Sequence, residues 1–287
     1  MSCARSWPPA EGKAADRVAG GDRLHSYFVR IARYRFDNEV SYGIVDGQDV
    51  HQLTGAPLPV GSEIQVTGEV HDLDDVTLLA PVLPTKIIAV AKNYGDHATE
   101  MGGQVPAEPM IFLKPSTAVI GPEGVIRLPA QSDRVDHEAE LAVVIGRLCK
   151  DVPEDRAAEV ILGYTCANDV TARDLQARDG QWGRAKGFDT FCPLGPWIET
   201  DMDPDDVGIE CEVNEQMRQD ASTADMVRSV AELVSWISSV MTLVPGDVIL
   251  TGTPAGVGPL RNGDLVTVTI EGIGTLDNIV SDTGVFA

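Results

Sequence analysis

The run from Val135 to Gly146 constrains this chain more than any other segment. Its second half, Leu141 to Ile145, is apolar and largely β-branched, as expected of a strand that continues into a core. Glu138 and Glu140 stand two residues apart where that run begins, so their side chains leave the same face of a strand. Two like charges beside a hydrophobic interior are costly unless something positive stands between them. A hard divalent cation, Mg2+ or Mn2+, takes such oxygen ligands and is one answer. A protonated carboxyl, or an arginine paired with one of the two, is the other.

The remaining apolar segments are short and irregularly spaced. Residues 30–36 alternate, and residues 40–45 and 49–53 flank the hairpin signal Asp46-Gly47. This pattern predicts a small β-rich N-terminal domain over residues 29–83, with Pro81 and Pro84 marking a linker. Residues 84–287 form the larger unit, with strands expected at 86–91, 110–113, 138–146, 161–167, 248–251, 265–270 and 274–280. A short polar helix is expected at 97–101, ended by Gly102-Gly103, with others near 154–160 and opening at Thr171. The strongest helix signal covers residues 229–243: Ser229 and Glu232 fit a capping box, and Val230, Leu233, Val234, Ile237, Val240 and Met241 follow helical spacing. Mixed strands with few helices argue against a doubly wound or barrel α/β fold and for a β-rich α+β chain. Residues 1–28 show no period and no apolar core of a signal peptide, and read as a disordered extension.

A formal net charge of -22 argues against nucleic acid as a partner. It also means that a site for an anionic substrate must reverse the field locally, with a metal ion and a few placed basic residues. No stretch approaches the ~18 apolar residues of a membrane helix. The five cysteines lie singly, without a CxxC, which points to a reducing cytoplasm and away from a thiolate zinc site.

Other residues suggest chemistry less strongly. Asp169, in Asn168-Asp169 at the end of an apolar strand, is either a third oxygen ligand or a helix N-cap. His97 and Glu100, three apart on the short helix, form either a general-base dyad or an exposed surface pair. The glycines after them permit a mobile lid. Lys186 is either a surface lysine or a cation that holds a carboxylate or an enolate. Arg173 is a carboxylate clamp, or it pairs with Asp169 or Asp174. The glycine-rich run from Thr251 to Gly258 lacks the lysine and helix of a P-loop, but its amides and the Thr253 hydroxyl suit an oxyanion.

Taken in order, Asn93-Tyr94-x-x-His97-x-x-Glu100, Phe112-x-Lys114-Pro-Ser, Asp136-x-Glu138-x-Glu140-Leu, Asn168-Asp169-Val-Thr-Ala-Arg173-Asp174-x-Gln176, Ala185-Lys186-Gly-Phe-Asp189 and Thr251-Gly-Thr-Pro254 resemble the fumarylacetoacetate hydrolase family. The match runs from about residue 85 to the C-terminus, and the small β domain suits the bacterial two-domain members. The resemblance implies a mixed β-sandwich roll around a buried site, usually in a homodimer. It implies one Mg2+ or Mn2+ on Glu138, Glu140 and Asp169, a lid-borne dyad at His97 and Glu100, and a site lysine at Lys186. Arg173, Gln176, Thr253, Asn93 and Tyr94 would contact substrate. The implied activity is metal-dependent chemistry on a 2-oxo acid through an enolate, with C–C hydrolysis of an acylpyruvate first. Ketonisation of 2-hydroxyhepta-2,4-diene-1,7-dioate or decarboxylation of oxaloacetate are the alternatives, and a non-catalytic, metal-stabilised binding protein is a more distant one.

Overall fold

The computed structural model describes residues 30–60, 62 and 64–283, so the expected extension over residues 1–28 lies outside the described residues. The N-terminal strands are Arg30–Phe36, Glu39–Asp46, Asp49–Leu53 and Val66–Asp72, each antiparallel to the one before. Asp37 and Asn38 join the first two with φ of 45° and 66°, the left-handed pair that a two-residue hairpin needs. Ala32, Tyr34, Val45 and Val50 make a small core of their own. Yet this unit is not separate in its hydrogen bonding. Arg30 and Ile31 pair with Glu199 and Ile198, so the N-terminal strands continue the sheet that carries the rest of the chain.

That sheet runs on through Cys192–Glu199, Ile161–Asn168, Ala139–Ile145, Val248–Leu250, Ile87–Ala91 and Met110–Lys114. Along this path the pairs are antiparallel except Val248–Leu250 against Ile87–Ala91, and the short strand Val119–Ile120 adds a second parallel pair beside Cys192–Glu199. Ala139–Ile145 is buried at every position because both of its faces are covered. Leu141, Val143 and Ile145 meet Ile209, Val268, Leu276 and other residues of a five-stranded sheet, whereas Ala142 and Val144 pack with Ile87, Leu162 and Leu194. Two-sided burial of this kind explains an unbroken apolar run where one-sided burial would give alternation.

Four α-helices occur among the described residues: α1 (Gly95–Glu100), α2 (Arg173–Asp179), α3 (Gly183–Lys186) and α4 (Val230–Val240). The α4 helix is capped by Ser229, whose hydroxyl accepts from the Glu232 amide at 3.2 Å, and it buries Val230, Leu233, Val234 and Ile237. It ends three residues earlier than its periodicity suggests, because Leu243 has left the helix to bridge Cys149. The helix expected at 154–160 is a 3-10 stretch over Glu154–Glu159. The one expected from Thr171 begins at Arg173, since Thr171–Ala172 pairs with Val135–His137.

The expected strand at 138–146 is Ala139–Ile145, and this last pairing sets the residues just before it in another sheet. Val135–His137 lies between Thr171–Ala172 and Gly258–Pro259 in a three-stranded sheet, and Ala139–Ile145 lies in the large one. Glu138 is the hinge between them. Its amide donates to the Asn168 side-chain oxygen at 3.0 Å, and its carbonyl accepts from the Asp169 amide at 2.8 Å.

Candidate active site

The change of sheet at Glu138 brings three carboxylates together. Glu138, Glu140 and Asp169 each offer an oxygen within 4.8 Å of the other two, and none of the three residues is more than 4% exposed. Asp169 does not cap a helix: the α2 N-cap is Ala172, and no side chain caps that end.

Cations answer two of the three. Lys186, on α3, is buried and donates to Glu138 Oε2 at 2.7 Å and Asp169 Oδ2 at 2.6 Å, so it is no surface lysine. A second buried lysine, Lys114, takes the other Asp169 oxygen and the Val170 carbonyl. Arg173 donates to Glu138 Oε1 at 2.6 Å, Asp136 Oδ2 at 2.9 Å and Gln176 Oε1 at 2.8 Å. Its partners are therefore neither Asp169 nor Asp174. Burial pushes the Glu138 carboxyl up, but Lys186 and Arg173 outweigh it and hold the group well below the usual carboxylate range.

Glu140 is different. Among the described residues no basic side chain pairs with it, and it accepts only from the Gly252 amide, at 2.6 Å. Burial, then the charges of Asp169 and Glu138, push it well above its ordinary value. The two answers posed by the sequence thus divide between the two glutamates. Glu138 has its arginine, and Glu140 has either a proton or a cation yet to be supplied. Of the four buried carboxylates, Asp136 pairs with Arg134 and Arg173, Glu138 with Arg173 and Lys186, and Asp169 with Lys114 and Lys186, which leaves Glu140 without a basic partner among the described residues. An all-oxygen donor set with one unanswered charge fits a hard divalent cation.

The His97–Glu100 pair on α1 lies beside this site. His97 Nδ1 is 3.2 Å from Glu100 Oε2, and the imidazole is buried rather than displayed on the surface. It lies close enough to contribute to the depression of Glu138. The Gly256 amide donates to Glu100 at 3.1 Å, which ties α1 to the glycine-rich loop.

The expected contact residues have varied surroundings. Tyr94 is buried, and its hydroxyl has no hydrogen-bond partner among the described residues. Burial and then Glu140 raise its pKa, so it remains a phenol with a proton to give. Gln176 accepts from Arg173, and Thr253 Oγ1 accepts from Gln219 at 2.7 Å. The Asn93 amide is engaged throughout, with the Thr251 carbonyl at 2.9 Å and the Arg228 backbone at 3.0 Å on both sides. Asn93 thus ties the segment before α1 to Thr251 and Arg228.

Reading residues one by one misses Lys114, Asp136, Asn168 and Gln219. Lys114, Asp136 and Asn168 lie inside the ordered motifs, and that order is the signal that marks them. Gln219 sits on Gln216–Ser222, in the five-stranded sheet, and no local pattern marks it.

Comparison with known proteins finds similarity along most of the chain. Residues 86–281 match the family described as fumarylacetoacetate (FAA) hydrolase C-terminal, and residues 29–81 match the Rv2993c-like N-terminal family. Protein Rv2993c of Mycobacterium tuberculosis is 52% identical over 89% of this chain and 99% of its own length. A mitochondrial oxaloacetate tautomerase of Xenopus laevis is 45% identical over 72% of this chain and 69% of its own. The crystal structure of 2-hydroxyhepta-2,4-diene-1,7-dioate isomerase from Mycobacterium marinum superposes with a TM-score of 0.83 at 49% identity, covering 90% of this chain and 100% of that one. A maleylpyruvate hydrolase from Sphingobium, in complex with manganese(II) and pyruvate, gives 0.72 at 31% identity, covering 88% and 98%.

Proposed function

The chain belongs to the fumarylacetoacetate hydrolase family, and on that premise we propose that it is a metal-dependent enzyme that interconverts enol and keto forms of a 2-oxo dicarboxylic acid. The observation that carries the reading is Glu140, a buried carboxylate without a basic partner among the described residues, in a triad of oxygen donors. Oxaloacetate, the dienedioate and maleylpyruvate, named for three of the relatives, share a carboxylate next to a keto or enol oxygen. Glu138, Glu140 and Asp169 would hold Mg2+ or Mn2+, which when bound supplies a Lewis acid for that end of the substrate.

The other roles follow from the side chains. Lys186 is kept charged, because the attraction of Asp169 and Glu138 exceeds the cost of its burial. It is a fixed cation for developing enolate charge and needs no reorganisation during the reaction. Arg173, also held charged, and Gln176 suit a substrate carboxylate. His97, oriented by Glu100, moves the proton at the carbon next to the keto group. With a divalent cation on the triad added to two lysines and an arginine, the site would attract a dianion despite the charge of -22 on the whole chain.

The same dyad supports a second reading, C–C hydrolysis of an acylpyruvate, with His97 activating water for attack on the distal carbonyl. A panel of enol-oxaloacetate, the heptadienedioate, acetylpyruvate and fumarylpyruvate, with Mn2+, Mg2+ or chelator, separates the two by product. Ketonisation that stops in chelator is the expected result. Inertness toward every compound would return the chain to a metal-stabilised binding protein. His97→Ala is expected to lower turnover by about 10²–10⁴-fold, with Mn2+ affinity and melting temperature close to wild type. Full turnover in that variant would remove His97 from the mechanism.

A further inference from the structure

We propose that Gln219 is a positioning residue: one buried amide fixes the ligand-bearing strand and the Thr251–Gly258 loop relative to each other, and so sets both the carboxylate triad and the His97–Glu100 dyad. The inference rests on the metal-dependent reading above. Gln219 comes from the five-stranded sheet, which supplies none of the three carboxylates, and it is 1% exposed. Its Oε1 accepts from the Ala139 amide at 3.0 Å and lies 3.1 Å from His137 Nδ1. Its Nε2 donates to Thr253 Oγ1 at 2.7 Å and to the Pro254 carbonyl at 2.9 Å. The orientation of this amide is not arbitrary, because a backbone N–H can only donate and a carbonyl can only accept. With His137 donating from Nδ1, both acceptor positions and both donor positions of the side chain are used.

What lies beyond those partners gives the residue its reach. Ala139 is the residue between Glu138 and Glu140, so the first pair of bonds holds the peptide from which both glutamates project. The second pair holds a loop whose own amides continue into the site. Gly252 donates to Glu140 at 2.6 Å, and Gly256 donates to Glu100 at 3.1 Å. Gly256 has a φ of +102°, and a Cβ there would meet the Arg218 carbonyl at 2.0 Å, so the loop lies directly on the strand that bears Gln219. Movement of this one amide would therefore be felt by a metal ligand and by the dyad's carboxylate together.

Gln219→Met keeps the length of the side chain and removes all four interactions. In the folded variant the Mn2+ dissociation constant is expected to rise at least tenfold, within the ~10–100-fold that loss of an outer partner of a metal site costs. At saturating Mn2+ kcat should fall about tenfold. Hydrogen exchange at the Ala139, Gly252 and Gly256 amides should accelerate, while the hairpin of Glu39–Asp46 and Asp49–Leu53 stays unchanged. A residue that served stability alone would lower the melting temperature and leave the Mn2+ constant, kcat and KM within twofold of wild type, and that result would overturn the proposal. If Gln219→Met does not fold, Gln219→Glu keeps the acceptor for Ala139 and removes the donor to Pro254. Faster exchange at Gly256 with reduced kcat then supports the proposal, and wild-type values for both reject it. Failure of the enzyme reading is recognised separately. A wild-type protein that binds no Mn2+ and turns over no substrate ends that reading, and the exchange rates at Gly252 and Gly256 then decide the role of Gln219.

Discussion

Glu140→Gln is expected to abolish Mn2+ binding and turnover while leaving the metal-free protein at least as stable as wild type. The affinity loss should exceed the ~10–100-fold that follows removal of an outer partner, since a direct oxygen ligand is removed. Stability moves the other way because Glu140 has like-charged neighbours and, among the described residues, no basic partner. Its pKa is raised in the folded state, and the sign of the linkage follows. Below the ordinary carboxylate range the group is protonated in both states and costs nothing. As the pH rises above about 4.3, the unfolded chain ionises first, and the penalty on the fold grows until the folded pKa is reached. Glu138, depressed rather than raised, contributes in the opposite direction but is common to both proteins. In chelator, the melting temperature of the variant minus that of wild type should therefore increase with pH across the weakly acidic range. Added Mn2+ should stabilise wild type and leave the variant unmoved. A variant less stable than wild type at neutral pH in chelator would mean that Glu140 has a cationic partner after all.

The features readable in the sequence were those that short-range chemistry dictates. Alternation and Asp46-Gly47 locate the hairpin of Glu39–Asp46 and Asp49–Leu53, the Ser229 cap starts α4, and Glu138-Ala-Glu140 places two carboxylates on one side of the chain. The family resemblance added the order of motifs, and with it Asp169 as the third member. Other features depend on distant pairing. Nothing within a few residues of Glu138 says that the strand changes sheets there. That follows from Thr171–Ala172 and Gly258–Pro259 claiming Val135–His137. The α2 helix begins late for the same reason.

The basic residues illustrate the limit further. Lys186 taken alone reads as a surface lysine, and only the fold shows it 17 residues from Asp169 in sequence yet 2.6 Å away. Lys114 reaches Asp169 across 55 residues, and Gln219 reaches Ala139 across 80. Hydrophobic periodicity cannot register such contacts, since a polar residue buried by a distant partner looks locally like one facing solvent. The pairing of Arg173 with Asp136 and Glu138 belongs to the same class. The guanidinium reads as a clamp, but its acid partners are 35 and 37 residues away rather than the nearby Asp169 and Asp174.

Lys186→Met tests the opposite charge at the same place and should be the more damaging change to the fold. Lys186 is the shared partner of Glu138 and Asp169, and both carboxylates are buried. Removing one member of a buried ion pair leaves uncompensated charge and typically costs ~3–5 kcal/mol. For a chain of this size that corresponds to a fall of roughly 10 °C in melting temperature. The pKa of Lys186 is raised in the folded state, so its contribution is fully present below its unfolded value and is lost only as the pH rises through the folded one. The deficit should thus be nearly constant from pH 6 to about 9. Methionine retains the aliphatic reach of lysine past Phe112, whose ring centroid lies 5.0 Å from the ammonium, so packing is changed less than charge. Mn2+ provides the control. A divalent cation on the triad restores positive charge beside Glu138 and Asp169, and it should raise the melting temperature of Lys186→Met by more than that of wild type. Turnover should not return with stability. A fixed cation for developing enolate charge is worth about 10²–10³ in kcat, and the metal already contributes its share in wild type. Recovery of both stability and full turnover with Mn2+ would make Lys186 a counter-ion only. Recovery of stability alone would assign it to the reaction.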